Sequence, residues 1–260
     1  MLHRPLAIRL ETLGLPFREA VKVAGKLGAD GVEFDAIGDL SLRELSQTGR
    51  REIRHLLRQA ELKLFALGFP TRHGYDHADK LEARIDGTAS AMQLAYDLGC
   101  GIVINHIGKI PEEESSPQRA AFVEVMRRIA ADGERNGAIL AVQTMNDLPN
   151  DLAAFLDSLS VHGIAVNFAP ANLVIHGVNL VEAANRLGKY IVGVHARDVV
   201  RSGLATTGVR PIALGDGEVG WRELLPVLSG LEYSGHFTIF REAKRNDFAD
   251  LEKAAEVIHS

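Results

Sequence analysis

Glu33 and Asp35 stand two positions apart in the run GVEFD, and His195, Arg197 and Asp198 close the run GVHARD. Residues two apart on an extended strand share a face, so the two carboxylates form a candidate pair for acid–base work or for binding hydroxyls. The same two residues also suit the simpler task of hydrogen-bonding neighbouring loops. An imidazole such as His195 moves protons or ligates a metal, and Asp198 is placed to orient either its own loop or that imidazole. Other polar groups follow apolar runs in the same way: Glu11 and Thr12, Arg72 and His73, Asn105, His106 and Lys109, Gln143, Asn167 and Asn172, and finally Arg241 and Glu242. Together they suffice to bind a polyol or a sugar.

Other chemistries lack their signatures. There is no H-E-x-x-H spacing among the ten histidines, and His55, His162 and His259 read as surface or packing residues. No G-x-S-x-G elbow or Cys/His arrangement supports covalent catalysis. The single cysteine, Cys100, rules out an intramolecular disulfide and a thiolate metal cage and reads as a small buried hydrophobe. GDGEVG, from Gly215 to Gly220, is glycine-rich and opens a helix as a phosphate cradle would. It lacks the P-loop lysine and hydroxyl, and Asp216 and Glu218 would repel phosphate, so it reads as a turn anchoring Trp221.

The candidate groups need a scaffold that gathers the ends of distant segments. Eight short β-branched or apolar runs alternate with helical patterns: Leu6 to Leu10, Gly31 to Phe34, Lys63 to Leu67, Ile102 to Asn105, Ile139 to Val142, Ile164 to Phe168, Ile191 to His195 and Phe237 to Phe240. Helical stretches between them start near Phe17, Arg51 and Gln118. Ser116 with Pro117 marks one helix start, and Gly28, Gly99 and Gly188 are placed to end helices in the left-handed conformation. Eight strand–helix units with no domain-sized linker predict an α/β fold of the (β/α)8 TIM-barrel type, one domain over residues 1–260. An open doubly wound sheet is the alternative that the count of eight disfavours. In such a barrel the chemistry gathers at the C-terminal ends of the strands.

The chain's 260 residues are 46% hydrophobic and 24% charged, the balance of a soluble globular protein. A net charge of -5 and a pI near 6.1 argue against a nucleic-acid partner. The short apolar run near the N-terminus is broken by Arg9 and Glu11, so neither a signal peptide nor a membrane span is expected, and the expected setting is cytoplasmic. A homo-oligomer is compatible with all of this.

Taken in order, GADGVEFDAIGDL, SQTGRREIRHLLR, VHARD, GDGEVGWRELLPVL and YSGHFTIFREAKRNDFADLEKAAEVI resemble the xylose isomerase-like TIM barrels, the sugar phosphate isomerase/epimerase group. The resemblance implies a metal site with Glu from the fifth strand, Asp from the sixth, His from the seventh and Glu from the eighth, the two glutamates also serving epimerases as the acid–base pair. Carried over position by position, these fall on Gln143 in AVQTM, Ala169 in NFAPAN, His195 in GVHARD and Phe240 in TIFRE. Asn167, Pro170, Ala171 and Asn172 keep the pattern around Ala169, and Arg241 and Glu242 keep it after Phe240.

Three of the four implied ligands are therefore replaced. A Mg- or Mn-type ion wants about six oxygen-rich ligands, and a catalytic zinc about three protein ligands. Gln143 offers one neutral oxygen and His195 one nitrogen, whereas Ala169 and Phe240 offer none. No cofactor is expected at this position. Mn, Co, Mg or Zn would require a relocated site of His106, His195 and Glu242, although Glu242 also suits pairing with Arg241, Lys244 or Arg245.

Two functional expectations follow. One is a catalytically degenerate sugar isomerase/epimerase-type barrel with a pocket for a carbohydrate-like molecule, drawn from Gln143, His195, Glu242, His106, Glu33, Asn172 and Arg241. The other is an active isomerase or epimerase with a relocated or absent metal. An apurinic-endonuclease role would need a multi-metal site and DNA-binding charge that the sequence lacks.

Overall fold

The computed structural model describes residues 4–145, 147–201, 208–240 and 248–259. Seven of the apolar runs form β1 (Leu6–Arg9), β2 (Gly31–Asp35), β3 (Lys63–Gly68), β4 (Ile102–Asn105), β5 (Ile139–Gln143), β6 (Ile164–Phe168) and β7 (Ile191–Ala196). A short antiparallel pair, β8 (Asp198–Arg201) and β9 (Val209–Ile212), follows before the last barrel strand, β10 (His236–Ile239). The barrel closes in the order β1-β10-β7-β6-β5-β4-β3-β2, and every pairing in it is parallel. Parallel strands covered on both faces read as continuous apolar runs, which is why the sequence shows them so plainly.

The outer layer consists of α1 (Phe17–Lys26), α2 (Gln47–Gln59), α3 (Leu81–Leu98), α4 (Pro117–Asn136), α5 (Pro149–Leu159), the single-turn α6 (Pro170–Leu173), α7 (Leu180–Leu187), α8 (Trp221–Gly230) and α9 (Ala249–His259). Each longer helix buries an apolar stripe against the barrel: Ala20, Val21 and Ala24 in α1, Ile53 and Leu57 in α2, Trp221, Leu224, Leu225 and Leu228 in α8. At α4, Ser116 Oγ accepts the Arg119 N–H at 3.1 Å with Pro117 in the first turn. At α2, Ser46 accepts the Gly49 N–H, which starts the helix at Gln47, four residues before the expected Arg51.

Gly28 and Gly99 have the expected positive φ, 76° and 86°. Gly188 does not. Its φ is -46°, because the chain passes through a 3-10 turn over Gly188–Tyr190 directly into β7 instead of reversing. Cys100 is buried, and burial pushes its thiol up to about 11. No described helix is long and apolar enough to cross a membrane.

Candidate functional site

The strand ends position the site. Pairing puts Arg9 of β1 beside Glu33 of β2, Asp35 beside Gly68 of β3, Gln143 of β5 beside Asn167 of β6, and His195 of β7 beside Thr238 of β10. Gly68 is required by its neighbour, since a Cβ there would lie 2.1 Å from Asp35 Oδ1. A cavity of about 570 Å³ opens at this end, with Arg9, Glu33, Asp35 and Gln143 at its strand ends and the β3–α3 and β4–α4 loops along one side.

Below the cavity lies an ion-pair network. His195 Nε2–H donates to both Glu33 oxygens, at 3.1 and 3.0 Å, and the two side chains are 1% and 0% exposed. Arg9 Nη2 donates to both Asp35 oxygens at 2.8 Å, and Arg9 Nη1 is 3.8 Å from Glu33. Burial pushes the Glu33 carboxyl up, but His195, by charge and hydrogen bond, and then Arg9 outweigh it and hold Glu33 at about 2. Asp35 moves the other way, since burial there outweighs Arg9.

Phe240 closes the network. Its ring meets the His195 ring edge-on at 5.0 Å between centroids, and the guanidinium carbons of Arg9 and Arg197 lie 5.5 and 5.3 Å from its centre. Arg197 donates to Asn172 Oδ1 at 2.7 Å, Asn172 donates to the Thr144 carbonyl at 3.0 Å, and Thr144 Oγ1 accepts the Ala169 N–H at 2.8 Å.

The loop wall is equally well tied. Asn105 donates to Thr71 Oγ1 and to the Tyr75 hydroxyl, His106 Nε2–H donates to the Thr71 carbonyl at 2.8 Å, and Asp76 accepts the Lys109 N–H at 3.1 Å. Of the expected pocket residues, Glu33, His106 and Gln143 line the cavity. His195 lies beneath it, Asn172 is committed to Arg197 and Thr144, and Arg241 and Glu242 lie outside the described residues. His106 and His195 each hold a different partner, and among the described residues no three His, Cys, Asp or Glu side chains gather closely enough to hold a metal ion.

Asp198 proves to be a loop anchor. It accepts the N–H groups of Val199, Gly215, Gly217 and Val219 at 2.9 to 3.1 Å. The amides that a phosphate would need in GDGEVG are thus already taken, and the turn leads into buried Trp221.

Sequence reasoning missed Arg9, read only as an interruption of an apolar run. The signal was present, since a charge closing a barrel strand at the C-terminal end belongs to the site. It also missed His236 and Thr238 deeper in the barrel, and it read Asn167 as a strand-end polar group without its burial. Asn167, His236 and Thr238 are almost fully buried, and Asn167 Oδ1 and Nδ2, His236 Nε2 and Thr238 Oγ1 have no hydrogen-bond partner among the described residues.

Comparison with known proteins places this geometry. The family model described as xylose isomerase-like TIM barrel matches residues 21–260. A search of curated proteins found no match. Among solved structures, a xylose isomerase domain protein from Planctomyces limnophilus is 21% identical, with 99% of this chain and 96% of that chain covered and a TM-score of 0.87. A xylose isomerase-like TIM-barrel protein from Mycobacterium smegmatis, in complex with magnesium, is 18% identical over 98% of this chain and 96% of that one, with a TM-score of 0.77. D-psicose 3-epimerase from Clostridium cellulolyticum H10, with D-tagatose, is 15% identical over 98% and 96%, with a TM-score of 0.76. At these identities the solved structures speak for the fold.

Proposed function

The chain belongs to the xylose isomerase-like TIM-barrel family, and from that premise we propose that it binds a carbohydrate-like small molecule in the cavity at the strand ends without the metal-assisted proton transfer of the family's epimerases. The observation that carries this reading is the state of His195. Its Nε2 is committed to Glu33, its Nδ1 has no partner among the described residues, and Phe240 lies against its ring where the resemblance implies a carboxylate ligand.

The donor set does not fit a divalent ion of the expected kind. Ala169 has only a methyl group and Phe240 only a phenyl ring, so Gln143 and His195 would remain as ligands where about six oxygen-rich ones are wanted. Ketose epimerisation needs a base within hydrogen-bond reach of the proton beside the carbonyl. Neither implied position, Gln143 or Phe240, supplies one. Binding is a different matter, since about 570 Å³ accommodates a monosaccharide and the Gln143 amide has no hydrogen-bond partner among the described residues.

Incubation with D-fructose, D-tagatose and D-psicose in deuterated water tests the catalytic half. No carbon-bound exchange above a denatured control is expected, and stereospecific incorporation would overturn the reading. The binding half expects a rise in melting temperature with at least one carbohydrate. A panel of neutral and acidic sugars that leaves the transition unmoved would defeat it.

A further inference from the structure

We propose that the carbohydrate bound here carries an oxyanion, a carboxylate or a phosphate, and that Arg72 with the paired imidazoles of His73 and His77 receives it at the cavity wall. This rests on the carbohydrate-binding reading above and adds a charge to the ligand.

The cavity is lined by three cations, Arg9, Arg72 and Lys109, and three carboxylates, Glu33, Asp35 and Asp76, but they are not evenly paired. At the floor, Asp35 is answered by Arg9 at 2.8 Å and Glu33 by His195 at 3.0 Å. On the wall, Lys109 is answered by Glu112 at 2.6 Å, and Asp76 spends an oxygen on the Lys109 backbone N–H. Arg72 lines the same cavity and has no carboxylate within ion-pair distance among the described residues.

Beside it, the rings of His73 and His77 stack at 4.3 Å with 15° between their planes, and neither ring hydrogen-bonds to a described residue. The His73 pKa is lowered by loss of hydration and then by the charges of His77, Arg72 and Arg84, against an opposing contribution from Asp79. Arg72 is thus close enough to His73 for its charge to be felt there, so the guanidinium and the imidazole pair can face one ligand.

A neutral sugar would leave these donors unanswered. A guanidinium prefers a planar or tetrahedral oxyanion, with which it forms paired charge-assisted bonds about twice as strong as neutral ones. The wall is also well braced for such a task. Thr71, immediately before Arg72, is held by Asn105 and His106, and Tyr75 N–H donates to the Ile107 carbonyl at 2.8 Å. With the backbone fixed on either side, binding has only the Arg72 side chain left to order.

The test is calorimetric titration of the whole protein with D-fructose, D-fructose 6-phosphate, D-gluconate and inorganic phosphate, repeated with Arg72→Ala and Arg72→Lys. Arg72 is exposed, so neither change threatens folding. At low salt one acidic sugar should bind about tenfold more tightly than D-fructose. Arg72→Ala should erase that advantage, and Arg72→Lys should keep part of it. A preference for D-gluconate identifies a carboxylate, and one for D-fructose 6-phosphate a phosphate.

D-fructose binding as tightly as both acidic sugars would overturn the proposal and leave the carbohydrate reading standing. So would an undiminished preference in Arg72→Ala. Inorganic phosphate binding as tightly as D-fructose 6-phosphate would overturn it by showing that the sugar contributes nothing. Failure of all four probes to bind would defeat both readings.

Discussion

Glu33 and His236 show how partners decide what burial does: it disfavours the charged form of both, but only Glu33 has partners that outweigh it. Glu33, held at about 2 by His195 and Arg9 against an ordinary 4.5, contributes stability that is complete above the ordinary value and lost as pH falls through about 2. His236 has no such partner. Its ring stacks on Phe65 at 4.9 Å between centroids, Nε2 is unbonded among the described residues, and burial lowers its pKa to about 4 from 6.5. Between those two values the unfolded chain takes up a proton that the native state refuses. Native stability is therefore expected to fall as pH drops from 6.5 towards 4, by roughly 3 kcal/mol from this residue. His236→Phe keeps the stack and removes the titration. Urea denaturation of both proteins across this range should show a flatter pH dependence in the variant, and parallel curves would refute the assignment.

At the scale of elements, the strands place side chains only because their neighbours leave room. β6 and β10 turn Asn167 and His236 towards β7, where the register sets Gly193 opposite both. A Cβ on Gly193 would lie 2.7 Å from Asn167 Oδ1 and 3.3 Å from the His236 ring. Gly193→Ala should therefore destabilise the barrel by about 1–3 kcal/mol, read as a lower urea midpoint with an unchanged slope. Indifference to the methyl group would mean that the interior is looser than its register implies. His195, two residues on, would feel the same displacement.

For the whole molecule, the question is whether the barrel is intact apart from its implied ligands. Gln143→Glu, Ala169→Asp and Phe240→Glu together would set three carboxylates around His195. Without metal the variant should lose several kcal/mol, because the carboxylates repel and the packing of Phe240 on His195 disappears. Added Mn should restore part of that loss by binding the folded state alone, while the parent stays unresponsive. Melting temperatures across a Mn titration decide the matter. Equal responses in the two proteins would place metal binding elsewhere. His195 Nδ1 has no hydrogen-bond partner among the described residues, so it can meet the ion while Nε2 keeps Glu33.

Local sequence determined the eight barrel strands, the helix starts at Phe17 and next to Ser116, and the absence of donor atoms at Ala169 and Phe240, because periodicity, caps and residue type act within a few positions. Gly188 escaped that reading, since whether a glycine ends a helix in the left-handed form depends on where the chain must go next. The site was legible in part. Its place at the strand ends followed from the alternation, and Glu33, His106 and Gln143 were named before the cavity they line. Only the closed barrel decided that His195 spends its Nε2 on Glu33, 162 residues away, that Asn172 serves Arg197, and that Arg9 belongs to the network at all. The physical reason is that strand register and closure choose which strand ends face one another, and no short stretch of sequence holds that information.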